Sequence, residues 1–233
     1  MDTNHVVPHA VVTCGPAMTA IDAVRRITNF STGELGVLLT EALLQKGWNV
    51  TCFKGTGATY RDPQGSRLTL KRFATNGDLL DGLLGQADPG RVNVVFHAAA
   101  LSDFDVAEVS GPDSQPLTTK KIPSAYQEVH LVLRPAFKVL PRMEELFPKA
   151  VVVGWKFELE GDHSTAMVCA RAQLELSRST LCVLNGIAYG NGFGIISRQG
   201  MIAELTTRDE LAEWLTTWAS DFLAGKETVP STP

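Results

Sequence analysis

The sequence has little positive charge. Its 21 lysines and arginines are outnumbered by 25 aspartates and glutamates, which gives a formal net charge of -4. Without a basic excess there is no extended positive field for a nucleic-acid backbone, so DNA or RNA binding would need a local patch that the sequence does not show. A small anionic substrate needs only a few well-placed cations and is therefore not excluded.

Long apolar runs are missing as well. No run approaches the roughly 18 residues of a membrane span, and the N-terminus lacks the charged-then-apolar pattern of a secretory signal. We therefore expect a cytoplasmic protein with no membrane partner. The 233 residues, 44% hydrophobic and 20% charged, can bury a sizeable core and are typical of one globular α/β domain.

Cysteines are few and scattered. Cys14, Cys52, Cys169 and Cys182 form no Cys-x-x-Cys pair and have no histidine nearby at metal-ligand spacing. Three of the four lie inside apolar runs. They are predicted to be reduced thiols of the core rather than disulfide partners or metal ligands.

Strand patterns alternate with helical patterns along the chain, which indicates parallel βαβ units. The predicted strands are 10–14, 48–53, 68–73, 92–100, 150–155, 181–184 and a hairpin of 194–197 with 201–205. The predicted helices are 33–46, one that starts at 76, 136–147, 163–178 with its N-cap at or near Ser164, and 207–224. Residues 15–28 are predicted to be a loop that forms one wall of the site.

An insertion interrupts this alternation. Between residues 106 and 134, Gly111–Pro116 cannot hold regular structure, and Glu128–Leu133 alternates before it meets Pro135. This segment is predicted to be an antiparallel flap that carries two lysines. The predicted divisions of the chain are a flexible arm 1–9, a single domain 10–225 that includes the flap, and a tail 226–233.

The stretch before the first predicted helix has the features of a phosphate-binding turn. Gly33 and Gly36 allow close backbone approach, Ser31 and Thr32 are natural N-cap residues, and the free N–H groups of the helix start would face an anion. An ordinary capped turn would have the same residues, so spacing alone leaves both interpretations open. The spacing is not the dinucleotide fingerprint, because Gly15 stands alone after the first strand.

The strand 92–100 is the most apolar one and ends in three alanines, followed shortly by Asp103. Small residues at the carboxyl end of a strand let a flat ligand lie against the backbone, and Asp103 would present a carboxylate to that ligand or to its metal. The alternative is that Asp103 only caps the next turn. His97 lies within the strand, so it is predicted to be buried and hydrogen-bonded rather than catalytic.

Six segments occur in an order and spacing that point to a known family. They are Val12–Pro16, Ile21–Arg25, Ile27–Gly33, Ala98–Asp103, Lys121–Ile122 and Val183–Asn185. They resemble the phosphopantothenoylcysteine synthetases, the ligases of coenzyme A biosynthesis, over roughly residues 10 to 205. The fold expected is α/β, a Rossmann-like three-layer sandwich with a mostly parallel central sheet and an antiparallel flap.

The resemblance also implies a reaction. A nucleoside triphosphate, ATP or CTP, with Mg²⁺ converts the carboxylate of 4′-phosphopantothenate to an acyl-nucleotidylate and releases pyrophosphate. The amine of cysteine then attacks, giving the amide and a nucleoside monophosphate. Such chemistry needs charge clamps and orienting amides more than an activated nucleophile of the protein.

The resemblance assigns roles to single residues. Asn29 matches the asparagine that contacts the substrate carboxylate and the acyl-nucleotidylate, Arg25 matches an arginine beside the same site, and Lys121 matches the flap lysine that neutralises phosphate charge. The positions that match nucleotide-binding residues are Gly15, Ser31, Thr32, Gly33, Ala99, Ala100, Asp103, Trp155, Lys156 and Asn185. No metal ligand from the protein is implied with certainty.

The sequence departs from the family pattern in places. Gly15-Pro16-Ala17 stands where Gly-Gly-Thr is common, and Pro123 stands where many bacterial members have a second lysine. The run Trp155–Glu158 is similar to the single-domain eukaryotic members, which weakly favours ATP over CTP. Because only about nine residues precede the first strand, the flavin half of bifunctional members has no counterpart and FMN is not expected. Family members are homodimers, and a neighbouring subunit would close the site at the flap.

Two alternatives stay open. A relative that binds nucleotide but has changed its substrate or lost turnover would share these motifs. An NAD(P)-dependent reductase of the short-chain type would share the strand Phe96–Ala100, but the early glycine pattern is missing, and none of Tyr60, Tyr126 and Tyr189 has a lysine four residues later.

Overall fold

The computed structural model describes residues 7–226. Residues 1–6 of the predicted arm, and the predicted tail beyond Lys226, lie outside the described residues. The predicted arm, residues 1–9, extends one residue too far, because His9 already pairs with Asn49 in the first strand.

One eight-stranded sheet forms the centre of the fold. In chain order the strands are β1 His9–Cys14, β2 Met18–Ala20, β3 Arg26–Thr28, β4 Asn49–Gly55, β5 Leu68–Phe73, β6 Val94–His97, β7 Phe104–Ser110, β8 His130–Pro135, β9 Val151–Phe157, β10 Leu181–Asn185, β11 Phe193–Ser197 and β12 Gly200–Leu205. Across the central sheet the order is β12-β11-β10-β9-β6-β1-β4-β5. The pairs from β5 to β10 are parallel, whereas β11 and β12 add an antiparallel hairpin at one edge.

Helices cover both faces of this sheet. In chain order they are α1 Glu34–Gln45, α2 Asn76–Leu84, α3 Met143–Leu146, α4 His163–Ser177 and α5 Arg208–Leu223. On one face α1 and α5 bury Leu39, Leu43, Leu211 and Leu215 against β1, β9 and β10. The apolar residues of α2, α3 and α4 belong to two other clusters, which pack on the opposite face. The expected three-layer α/β sandwich is confirmed.

The neighbouring strands β1 and β6, inside the sheet, are apolar because the sheet buries them on both sides. Residues 10–14 of β1 are all buried, and Val94–His97 of β6 are buried as well. The predicted strand 92–100 is longer than the ladder, which ends at His97; beyond it Ala100 makes a single bridge to Pro16. The remaining strand predictions agree with the structure to within about two residues.

Two small antiparallel ribbons leave the sheet. The predicted loop 15–28 is wrong in part, because β2 and β3 pair within it, and three-residue strands are too short to give a periodic signal. The predicted flap is confirmed as a ribbon of β7 and β8, with an irregularity between Val106 and Glu108. All six residues of β8 are exposed.

The predicted helix 136–147 is wrong. Only a short 3-10 turn at Leu140–Arg142 and the four-residue α3 form there. Pro141 explains the difference, because its ring has no N–H to donate and would clash with the carbonyl of Phe137 in a continuous helix. The chain from Ala136 therefore stays non-helical until the 3-10 turn at Leu140–Arg142.

Candidate functional site

The site is built where the strand order of the parallel sheet reverses. β1 and β6 are neighbours, but β1 continues toward β4 on one side and β6 toward β9 on the other. The segments after the two strands remain tied, since Ala100 N–H donates to Gly15 O at 2.9 Å and Ala17 N–H donates to Ala100 O at 3.0 Å. A crevice outside the carboxyl ends of two such strands is where open α/β sheets bind ligands.

Three glycines, Gly15, Gly33 and Gly36, form what we call the glycine cradle. Gly15 and Gly33 both have φ of 78°, in the left-handed region that disfavours side chains. A Cβ on Gly33 would lie 3.4 Å from the Cα of Gly15 and 3.0 Å from the Cβ of Ala58. Gly36 lies against Cys14 so closely that a Cβ would overlap the Cys14 side chain. The start of α1 therefore rests directly on the end of β1.

The N-cap prediction needs correction. Gly33, not Ser31 or Thr32, is the N-cap of α1, and it offers no side-chain acceptor to the helix. Thr32 accepts only from Glu34 N–H, at 3.2 Å, through its hydroxyl. Apart from Glu34 N–H, which Thr32 binds, no side-chain cap among the described residues engages the first-turn N–H groups, so they remain available to an anion.

A buried lysine supports the wall beside the cradle. Lys54, at the end of β4, is 1% exposed, and its ammonium donates to the carbonyls of Tyr60 and Arg61 and to the carboxylate of Asp62. Tyr60 N–H donates in turn to Thr32 O at 3.0 Å. This ion pair fixes the loop after β4, whose Ala58 touches the cradle. Lys54 is not among the predicted site residues, and a charged residue inside an apolar strand was the available signal.

His97 is buried and hydrogen-bonded, as predicted. One ring nitrogen, Nδ1, lies 2.8 Å from the hydroxyl of Thr13, and burial lowers the pKa of His97 to about 4. All four cysteines are free, and the thiols of Cys14 and Cys52 lie 4.0 Å apart within the sheet. Contact with Cys52, together with burial, raises the pKa of Cys14. His97, Cys14 and Cys52 therefore lie in the strands beneath the site.

Asn29 is tied to the end of the central strand. Its side-chain Nδ2 donates to Leu101 O at 2.8 Å, across 72 residues of sequence. The predicted residues Ala99, Ala100 and Asp103 belong to this same segment. The structure thus brings Asn29 together with them and with Gly15.

Asp103 has a partner that the sequence analysis missed. Lys138 pairs with its carboxylate, and both side chains are exposed, at 60% and 66%. The backbone nearby is also joined, because Ala136 N–H donates to Asp103 O at 2.9 Å. Asp103 therefore lies at the base of the flap with an exposed carboxylate and the exposed cation of Lys138 beside it. No periodic pattern links positions 35 residues apart, so the sequence carried no signal for this pair.

A second set of contacts, which we call the flap latch, joins the loop 21–25 to the backbone of Lys120–Ile122. Asp22 accepts from Ile122 N–H at 3.1 Å, Arg25 donates to Ile122 O at 3.1 Å, and Ala23 N–H donates to Lys120 O at 2.9 Å. Lys121, the predicted flap lysine, lies in the middle of the latched segment and is exposed. Arg25 and Lys121 are thus brought together.

The carboxylate of Asp22 is the centre of the flap latch. Its Oδ1 accepts from the backbone of Val24 at 2.8 Å and of Arg25 at 2.7 Å, while its Oδ2 accepts from the Arg25 guanidinium and from Ile122. Its side chain is 2% exposed. Desolvation alone would raise the pKa of Asp22, but these donors outweigh it and hold the pKa at about 2.

The three remaining predicted residues do not share one face. Trp155 packs with the α1 and α5 cluster, and Asn185 follows Val183 on that same face by alternation. Lys156 points to the opposite face, where it pairs with Glu158 at 2.9 Å. Desolvation would lower the pKa of Lys156, but the bond to Glu158 outweighs it and the pKa is raised. Among the described residues, Trp155 Nε1 is buried with no hydrogen-bond partner.

Residues 7–226 contain no group of three or more histidines, cysteines, aspartates or glutamates that could hold a metal ion. A groove of about 400 Å³ opens beside the first turn of α1, lined by Glu34, Leu38, Phe193 and Arg208 among others. Of the helices between residues 7 and 226, none has the length and apolar character needed to cross a bilayer.

The sequence matches one protein family. The model of the family described as DNA/pantothenate metabolism flavoprotein C-terminal domain matches residues 7–217. Among curated proteins, the coenzyme A biosynthesis bifunctional protein CoaBC of Thermococcus kodakarensis is 30% identical over 187 residues, which are 78% of this chain and 42% of that protein. The CoaBC of Bacillus subtilis is 29% identical over 80% of this chain and 42% of its own length. The chain spans less than half the length of these relatives.

Solved structures share the fold. The DNA/pantothenate metabolism flavoprotein from Streptococcus pneumoniae superposes with a TM-score of 0.81 at 24% identity, over 93% of this chain and all of that one. A Cab2 mutant in complex with phosphopantothenate-cysteine superposes with a TM-score of 0.69 at 18% identity, over 94% of this chain and 88% of that one. At these identities the likeness concerns the fold.

Proposed function

The chain belongs to the DNA/pantothenate metabolism flavoprotein C-terminal domain family, and from this premise we propose that it is a phosphopantothenate–cysteine ligase of coenzyme A biosynthesis. One observation supports the proposal beyond family membership: the glycine cradle and Asn29 lie at the carboxyl ends of β1 and β6, and the segment that carries the flap lysine is joined to the loop 21–25. An anion cradle, an uncharged amide and a cation are the groups that carboxylate activation by a nucleotide requires.

In the proposed first step, a carboxylate oxygen of 4′-phosphopantothenate attacks the α-phosphorus of ATP or CTP, and pyrophosphate leaves. In the second step, the amine of cysteine attacks the acyl carbon, the nucleoside monophosphate leaves with the electrons of the broken bond, and the amine loses a proton. The protein forms no covalent bond in either step. Its contribution is orientation and charge.

The glycine cradle would hold the triphosphate. Ser31, Thr32 and Gly33 present hydroxyls and N–H groups at the start of α1, and the left-handed Gly15 and Gly33 let this helix start pack against the end of β1. Gly15-Pro16 does not disrupt the loop, since Pro16 bridges to Ala100. This geometry supports nucleotide binding despite the departure from the common Gly-Gly-Thr.

Asn29, Arg25 and Lys121 would act on the acyl group. Asn29 has an amide that can donate to the substrate carboxylate and then to the neutral acyl-nucleotidylate. The Arg25 guanidinium is 42% exposed, so nitrogens not engaged by Asp22 remain available for an anion. Lys121 would neutralise phosphate charge as pyrophosphate or the monophosphate leaves.

The nucleoside would lie toward β9 and β10. Trp155 has a buried indole N–H without an acceptor among the described residues, a donor that a base or ribose can use. Asn185 shares its face, and Lys156 with Glu158 lies at the same strand end on the opposite face. Ala99, Ala100 and Asp103 would border the sugar and phosphates.

Mg²⁺ would arrive with the nucleotide. Such a site needs one or two carboxylates and substrate phosphates rather than a protein cage, and the exposed carboxylate of Asp103 fits that requirement. When bound, the ion would offset the charge of the triphosphate. FMN has no place in this proposal.

A homodimer and a cytoplasmic location complete the proposal. The flap exposes apolar side chains on a ribbon edge, including Leu131, Val132 and Leu133 at 36%, 45% and 43%. Such a surface is suited to a second copy of the chain. Its exposure supports an interface at the flap.

The test is pyrophosphate release by the purified protein with Mg²⁺, 4′-phosphopantothenate and cysteine, with ATP and CTP assayed separately. Release that requires phosphopantothenate is expected, and the better nucleotide identifies the preference. Nucleotide binding without release would instead favour a relative with another substrate or with lost turnover.

A further inference from the structure

We propose that Asp22 is a positioning residue that holds the flap lysine, Lys121, over the site by binding the backbone of the next residue, Ile122. The inference rests on the proposed function, because it assigns a purpose to the placement of Lys121. Asp22 does not touch any reacting group in this arrangement. It acts through the flap.

The carboxylate divides its two oxygens between two tasks. Oδ1 accepts from the amides of Val24 and Arg25, which closes the turn on its own side. Oδ2 accepts from Ile122 N–H, 100 residues away, and from the Arg25 guanidinium. Arg25 then donates to Ile122 O at 3.1 Å, so both backbone groups of Ile122 are held. The side chain of Ile122 is also buried, at 4% exposure, which anchors one end of an otherwise exposed segment.

The neighbours of this segment explain why the latch matters. Lys120, Lys121 and Pro123 are exposed, and no strand or helix contains them. A lysine on an unstructured segment would sample many positions, and small displacements of a catalytic group are costly, about a hundredfold per ångström in sensitive cases. The backbone bonds on both sides of Lys121 remove that freedom.

The substitution Asp22→Asn separates the two tasks. Asparagine keeps an oxygen for Val24 and Arg25, but it places an NH₂ group where Oδ2 accepts from Ile122, so two donors would face each other. Asp162→Asn is the matched control. Asp162 also accepts from a backbone amide through Oδ1, as the N-cap of α4, and asparagine is an equally good N-cap.

Two readouts are measured on the full-length chain. The first is tryptic cleavage of the Lys121–Ile122 peptide bond, followed by mass spectrometry. We expect D22N to be cut about fivefold faster or more, because the segment loses its hydrogen bond to Asp22 and becomes accessible to the protease. D162N should be cut at the wild-type rate. The second is turnover in the ligase assay, where D22N should lower kcat about tenfold or more. Adding D22N to K121A should lower the remaining rate by a smaller factor than D22N lowers the wild-type rate, because the loss that comes through Lys121 is already present.

The outcomes are separable. Unchanged cleavage in D22N would overturn the latch, and faster cleavage with wild-type kcat would overturn its role in positioning. A multiplicative loss in the double variant would also overturn it, since Asp22 would then act independently of Lys121. If the wild-type protein releases no pyrophosphate, the proposed function fails, and cleavage alone decides whether the latch exists.

Discussion

The glycine cradle and the flap approach the same site but are held by different forces. The cradle rests on β1 and α1, whose contacts are buried and close, so its geometry depends on the packing of the whole sheet. The flap is exposed along all of β8 and is fixed near Lys121 by a few hydrogen bonds. Changes in the cradle should therefore cost stability, whereas changes in the flap should cost activity alone.

Gly36→Ala tests the cradle and should have the largest effect. A helix interior gains roughly 1 kcal/mol from this change, but the new Cβ would overlap Cys14, and neither group can move without the backbone. We expect a loss of about 3 kcal/mol or more in the free energy of unfolding, measured by urea denaturation. Gly90→Ala is the control, since nothing lies within 4 Å of a Cβ there, and its stability should stay at the wild-type value.

Lys121→Ala and Asn29→Ala test the effect on activity. Each should lower turnover at least about a hundredfold, equivalent to roughly 2.7 kcal/mol of transition-state stabilisation, because each would remove a proposed contact with the reacting groups. Thermal denaturation should give wild-type Tm values for Lys121→Ala. Lys120→Ala is the neighbouring control, with turnover close to wild type. Wild-type rates in either site variant would contradict the assignment.

The pH dependence of stability tests the buried His97 beneath the glycine cradle. The pKa of His97 is about 4 in the folded protein, against roughly 6.5 when unfolded, so the unfolded chain binds more protons between these values. The stability from neutral His97 is complete above about pH 6.5 and is lost as the pH falls toward 4. Between pH 7 and 5 this amounts to roughly 2 kcal/mol. His97→Gln should flatten the dependence over that range.

The smallest effect is expected at the base of the flap. Lys138→Met removes the partner of Asp103, but both groups are well exposed and solvent screens their attraction. The free energy of unfolding should change by less than about 1 kcal/mol. A larger loss in urea denaturation would show that the flap contributes to the stability of the sheet, which would contradict the division drawn above.

Sequence reasoning succeeded where burial controls the pattern. β1, β4 and β6 are mostly apolar runs because both of their faces are covered, so their positions could be predicted closely. The family resemblance added Asn29 and Lys121, which no periodicity would select. The prediction of a helix over residues 136–147 was wrong because it gave more weight to apolar spacing than to Pro141. The proline ring forbids a continuous helix there.

Long-range polar contacts could not be predicted in the same way. Asp22 lies in the motif Ile21–Arg25 and was expected only to line the site, because nothing in the sequence joins it to Ile122. The pair of Asp103 with Lys138 and the support of the loop by Lys54 belong to the same class. Such contacts depend on the positions of two folded segments, which local patterns do not encode.

The 100-residue separation of Asp22 and Ile122 has a consequence for the order of folding. Closing so long a loop costs entropy that one hydrogen bond cannot offset in a disordered chain, so the contact forms only after β1 and β6 have brought the two segments together. We therefore expect enzymatic activity to return later than the sheet during refolding. Newly synthesised chains would then become active only once their scaffold is complete.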